Sequence, residues 1–127
     1  MLNTELITEI LNQIDFAIKR IISTCESIND SDDFALSNDG MLRLESSCML
    51  LSTIGESVKN LDKHTDGKLL KHYKSIDWKK IMGTRDIIVH HYFDIDREIV
   101  FDIVKNKLPE LHTVIEKMIK ENLFNLN

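Results

Sequence analysis

Residues 4–28 read TELITEILNQIDFAIKRIISTCESI, and the fold class follows from how the apolar side chains recur in that stretch. Ile7, Leu11, Ile14, Ile18, Ile21, Cys25 and Ile28 return at alternating spacings of four and three, the seam of an α-helix sustained over about three heptads. Ile10, Ala17 and Ile22 widen that seam, which suits a helix packed against two neighbours in a bundle. Glu9, Lys19, Arg20 and Glu26 occupy the other face. Working outward, the apolar-free run Asn29–Asp33 ends the helix, and Phe34, Ala35 and Leu36 are expected to form a short helical turn over a core edge. Asn38 or Asp39 is expected to cap a second long helix through Leu42, Leu44, Cys48, Leu51, Ile54, Val58 and Leu61. Gly55 interrupts its seam at a cost of about 1 kcal/mol relative to alanine. The close approach of another helix explains the glycine, with a hinge as the alternative.

A polar, lysine-rich connection from Asp62 to Ser75 leads to Asp77, which is placed to cap a third helix from Trp78 to about Tyr92. Phe93-Asp94-Ile95-Asp96 reads as a turn carrying a new cap, and Ile99, Val100, Ile103, Val104 and Leu108 mark a fourth helix. Pro109 either stands in the first turn of a fifth helix or kinks a continuous one, and Leu111, Ile115, Met118, Ile119 and Leu123 give the last stripe. No strand-like alternation or internal repeat competes. The expectation is an all-α, antiparallel up-and-down bundle of four to five helices.

At 127 residues the chain reads as a single domain, 1–127, and with 4 glycines and 1 proline it has few of the breakers an all-β fold needs. The N-terminus lacks a basic stretch followed by an apolar run, and no apolar segment reaches the roughly 20 residues of a membrane span; a cytoplasmic location away from membranes is expected. Cys25 and Cys48 fall at helical spacing among apolar neighbours, which points to core packing rather than a metal or redox site. The formal charge of −5 argues on its face against a nucleic-acid partner. That total conceals two unlike regions. Residues 59 to 85 carry eight basic side chains against three carboxylates, a net +5, and the remainder carries 8 against 18, a net −10.

Glycine-rich phosphate loops, metal-spaced Cys or His sets and nucleophile elbows are all missing from the sequence. The chemistry-bearing residues gather instead in one short run: Arg85, Asp86, His90, His91 and Tyr92. A guanidinium can hold the non-bridging oxygens of a phosphodiester, and an imidazole can move a proton near neutral pH, a toolkit that needs no metal or other cofactor. On a continuous helix, Asp86 and His90 share a face at i, i+4, while Arg85 and His90 point roughly 140° apart. A symmetric dimer would relieve that conflict by building a composite cleft. Surface pairing of Asp86 with His90, and a histidine pair favoured by the helix dipole, is the alternative. His64, His72 and His112 are isolated and read as solvated.

The run Trp78–Asp96, with an arginine, four residues, a histidine, one residue and a tyrosine followed by an acidic turn, resembles the signature of the HepT-like branch of the HEPN superfamily. Ile54-Gly55-Glu56 and Leu108-Pro109-Glu110-Leu111 are similar to two further landmarks of that family, in the same order. The resemblance implies a metal-independent endoribonuclease, the toxin of a toxin–antitoxin pair, acting as a homodimer. It further implies an antitoxin partner of the MNT nucleotidyltransferase type that adenylylates the motif tyrosine. Carried over, Arg85 and His90 are catalytic, Asp86 is supporting, and Tyr92 is the AMPylation site; Glu56 matches a recurrent position without a catalytic role. The alternative is a non-catalytic substrate-binding or regulatory subunit of a nucleotidyltransferase.

Overall fold

In a computed structural model that describes residues 3–91 and 94–121, the chain is an all-α bundle. Helix α1 (Thr4–Thr24) is capped by Asn3, whose side chain accepts from the Leu6 amide at 3.1 Å. Its seam residues Ile7, Leu11, Ile14, Ile18 and Ile21 are buried against α2 (Asn38–His64) and α6 (Leu108–Glu121). The end of α1 leaves carbonyls without helical partners. Lys105 Nζ donates to the Cys25 carbonyl at 2.8 Å, and the Arg43 guanidinium donates to that of Thr24. Two cations from different parts of the chain thus complement the negative end of the helix dipole.

Between α1 and α2 the helical turn spans Ser31–Phe34, not Phe34–Leu36 as the apolar residues suggested. The acidic run is itself the turn former. Asp30 accepts from the Asp32 amide at 2.7 Å, and Asp33 accepts from the amides of Asn29 and Asp30, the local bonding by which aspartates fix turns. Phe34 is fully buried and Leu36 is left exposed. Ser37 then caps α2 through the Gly40 amide at 2.9 Å, so Asn38 and Asp39 lie inside the helix.

After a turn at Asp66 and Gly67, both at positive φ, Leu69, Leu70 and Tyr73 anchor the connection in the core. Asp77 caps α3 (Trp78–Met82) as expected, and α4 (Thr84–Ile88) follows after Gly83. The third helix ends here, four residues before the expected terminus at Tyr92. Val89–His91 forms strand β1, paired antiparallel with β2 (Asp94–Ile95), and the Asp96 amide donates to the Ile88 carbonyl at 2.8 Å. The cause lies in Ile87-Ile88-Val89: three consecutive β-branched residues lose side-chain freedom in a helix and fit an extended strand. This small ribbon is a local exception within the helical bundle.

Asp96 caps α5 (Arg97–Asp102) through the Ile99 amide. A π turn, Ile103–Lys107, joins α5 to α6, so the helix runs on through Pro109. Proline has no amide hydrogen, and its ring crowds the carbonyl four residues earlier, here that of Lys105. A widened turn immediately before it accommodates both.

Candidate functional site

Gly55 decides how α3 and α4 lie on α2. A methyl group at Gly55 would stand 2.8 Å from the Ile81 carbonyl oxygen and 3.4 Å from that of Met82. Only a residue without a side chain lets the two backbones meet this closely, so the close-approach reading of Gly55 holds. Thr84, buried just beyond, donates its hydroxyl to the carbonyls of Ile81 at 2.7 Å and Lys80 at 3.0 Å and ties the start of α4 to the end of α3. The next two residues, Arg85 and Asp86, are exposed.

Both line a groove of about 600 Å³ whose opposite wall is α2, with Met49, Ser52, Glu56 and Lys59. Among the described residues Arg85 makes no ion pair or hydrogen bond, and Glu56 is held by Lys59 at 3.1 Å. The guanidinium is therefore free to meet an anion in an open groove that the sequence did not reveal. Glu56 and Lys59 reach it because Met49, Ser52, Glu56 and Lys59 recur at three- and four-residue intervals along one face of α2.

His90 falls on β1, not on a helix. The i, i+4 pairing of Asp86 with His90 and the 140° separation of Arg85 from His90 were consequences of a continuous helix, and neither applies once the chain turns extended after Ile88. Tyr92 lies outside the described residues. Among the described residues no group of three His, Cys, Asp or Glu side chains is arranged to hold a metal ion, and no helix is long and apolar enough to cross a membrane.

Of the three histidines expected to be solvated, His112 is instead paired and partly buried. Its Nε2 lies 3.0 Å from Asp15 of α1 and 3.5 Å from Glu116, with a side chain only 23% exposed. Asp15 also holds Lys19 at 2.9 Å, and that carboxylate raises the Lys19 pKa. The Glu116 contact at i, i+4 is readable in sequence; the Asp15 contact, across 97 residues, is not.

Cys25 and Cys48 are free and buried, as their spacing implied. Burial, with the charges of Cys25 and Glu45 adding, pushes the Cys48 thiol up to about 11. Burial also raises Tyr73, with Glu121 contributing. Because a raised acid keeps its proton in the folded chain after the unfolded chain has lost it, stability falls as pH rises from about 9 to about 11. We expect the urea midpoint to drop over that interval, and Cys48→Ala to remove part of the drop, leaving the share due to Tyr73; a midpoint independent of pH would contradict this.

The chain matches the ribonuclease HepT-like family over residues 4–118 and belongs to it. It is 42% identical over 71 residues to the candidate RNase MJ0127 of Methanocaldococcus jannaschii, covering 56% of this chain and 55% of that protein. It is 38% identical over 73 residues to the candidate RNase TTE0752 of Caldanaerobacter subterraneus, 58% of each chain. A probable ribonuclease HepT of Thermococcus cleftensis is 34% identical over 70 residues, 55% of this chain and 60% of that one. The matched part thus spans little more than half the length of these relatives. No solved structure matches significantly.

Proposed function

We propose that this protein is a metal-independent endoribonuclease toxin in which Arg85 and His90 act on one phosphodiester. The observation that carries the reading is the exposed, unpaired Arg85 on the wall of a groove, in a chain that belongs to the ribonuclease HepT-like family. Arg85 holds the non-bridging oxygens and stabilises the charge that builds on phosphorus. His90 serves as the proton-transfer group: the 2′-hydroxyl gives up its proton, the 2′ oxygen forms a bond to phosphorus, and the leaving 5′ oxygen receives a proton as its own bond breaks. The products are a 2′,3′-cyclic phosphate and a free 5′-hydroxyl. Asp86 lines the same groove and is the supporting residue of this reading.

The active form in this reading is a homodimer. Phe16 is 57% exposed and Met49 73% exposed. A second groove of about 850 Å³ between α1 and α2, lined in part by Phe16, shares Thr53 and Ser57 with the Arg85 groove. Pairing two copies over this continuous face covers the apolar side chains and sets two Arg85 grooves together, which supports a composite cleft.

An MNT-type nucleotidyltransferase is the proposed antitoxin, and Tyr92 its AMP acceptor. AMP on this residue, two positions after His90 in the sequence, would add negative charge and bulk that oppose RNA. Expression of the chain alone should arrest growth, and co-expression with a neighbouring nucleotidyltransferase should relieve the arrest. The intact mass should rise by AMP units, and that rise should vanish in Tyr92→Phe. Absence of arrest, with the neighbour still bound, would favour a non-catalytic nucleotidyltransferase subunit instead.

A further inference from the structure

The basic side chains of this chain fall into two groups. Outside residues 59 to 85 there are eight, and five of them are held: Lys19 by Asp15, Arg43 by Asp39, Arg97 by Asp32, Lys117 by Glu121, and Lys105 by the Cys25 carbonyl. Inside that segment there are again eight, all exposed, and among the described residues only Lys59 is held, by Glu56. The three carboxylates of the segment leave it a net +5, and among the described residues none of them pairs with a lysine or arginine. Asp77 is committed to the Lys80 amide, Asp66 sits in the turn after α2, and Asp62 is half-buried.

Position adds direction to this excess. Lys59 and Lys63 continue along α2, i, i+4, on the face that already carries Met49, Ser52 and Glu56 into the Arg85 groove. Lys79 stands one turn before Gly83, on the segment that forms the other wall. Lys68, Lys71 and Lys74 lie on the connection that joins these two walls. Unneutralised cations thus lie on the stretch of chain that leads from the α2 wall of the groove to its α3 wall, on a molecule whose net charge is otherwise negative.

We propose that Lys63, Lys74 and Lys79 form a track for the phosphate backbone of single-stranded RNA, leading it into the groove at Arg85. This rests on the ribonuclease reading above for the identity of the polyanion. Free, exposed ammonium groups with no acid to displace release counter-ions when a phosphate backbone binds, and that release sets affinity and its dependence on salt. The same excess steers a polyanion towards this end of the molecule and away from the acidic remainder.

The test compares the full-length protein with Lys63→Gln/Lys79→Gln and with the charge-matched control Lys107→Gln/Lys120→Gln, whose side chains are likewise exposed and unpaired among the described residues. Affinity for a 20-nucleotide oligouridylate is measured against potassium chloride concentration, with cleavage followed in parallel and folding checked by circular dichroism. The track variant should lose about 25-fold in affinity near 0.1 M salt, and its slope of log affinity against log salt should shrink by about 1.4, some 0.7 for each phosphate contact. The control should keep the slope of the unaltered protein. A track variant that binds as the unaltered protein does, or a control that loses as much, overturns the track; if the unaltered protein still cleaves, the ribonuclease reading survives that result. Salt-dependent binding lost in the track variant, without cleavage by the unaltered protein, supports the track and overturns the ribonuclease reading. An unaltered protein that neither binds nor cleaves overturns both.

Discussion

Arg85→Ala lowers kcat/KM for RNA cleavage by about 10²- to 10³-fold, the effect of removing one pre-positioned donor from a developing oxyanion, and leaves the melting temperature unchanged. The second half of that expectation follows from the surroundings. Arg85 is exposed and bonds to nothing among the described residues, so its removal opens no cavity and strands no partner. Arg85→Lys restores only part of the loss, because an ammonium cannot reproduce the planar two-oxygen grip of a guanidinium. Initial rates on a short labelled RNA, with melting curves of the same preparations, measure both halves. Full activity in Arg85→Ala would remove this residue from the chemistry, and a lowered melting temperature would give it a structural role.

Gly55→Ala tests how the fold holds that arginine. At an unobstructed helical position the exchange stabilises by about 1 kcal/mol. Here the added methyl meets the Ile81 carbonyl oxygen at 2.8 Å, a backbone atom that moves only if α3 moves. Overpacking of this kind costs about 1–3 kcal/mol, so the sign reverses and the urea midpoint falls. Since Thr84 ties α4 to α3, the same displacement carries Arg85 away from α2. Cleavage should fall by more than the unfolded fraction accounts for. A raised urea midpoint would show that α3 gives way freely and that Gly55 does not set the groove.

Much of this arrangement is legible locally. The seam of α1, the caps at Asp77 and Asp96 and the close approach at Gly55 each depend on side chains within a few residues of one another or on an unmistakable gap in a stripe. The end of α4 depends on a competition. Helical caps and spacing favour continuing to Tyr92, while the β-branched run Ile87-Ile88-Val89 favours extension, and the pairing of Val89 with Ile95 decides for the strand. The strand takes His90 off the helix that carries Arg85, so helical spacing does not relate the two. The α2 wall of the groove was hidden for a different reason. Nothing local joins Lys59 to Arg85; the two meet on one groove because Gly55 admits the backbone of α3. The contact of His112 with Asp15 likewise exists only once α6 lies on α1.

The proposed chemistry requires Arg85 and His90 to act on one phosphodiester without a metal. The direct measurement is product analysis of a defined RNA incubated with the purified protein in excess chelator, alongside His90→Ala. The account predicts fragments ending in 2′,3′-cyclic phosphate from the unaltered protein and a rate at least about 10²-fold lower in His90→Ala. Equal cleavage by both proteins, or cleavage that the chelator abolishes, would contradict it.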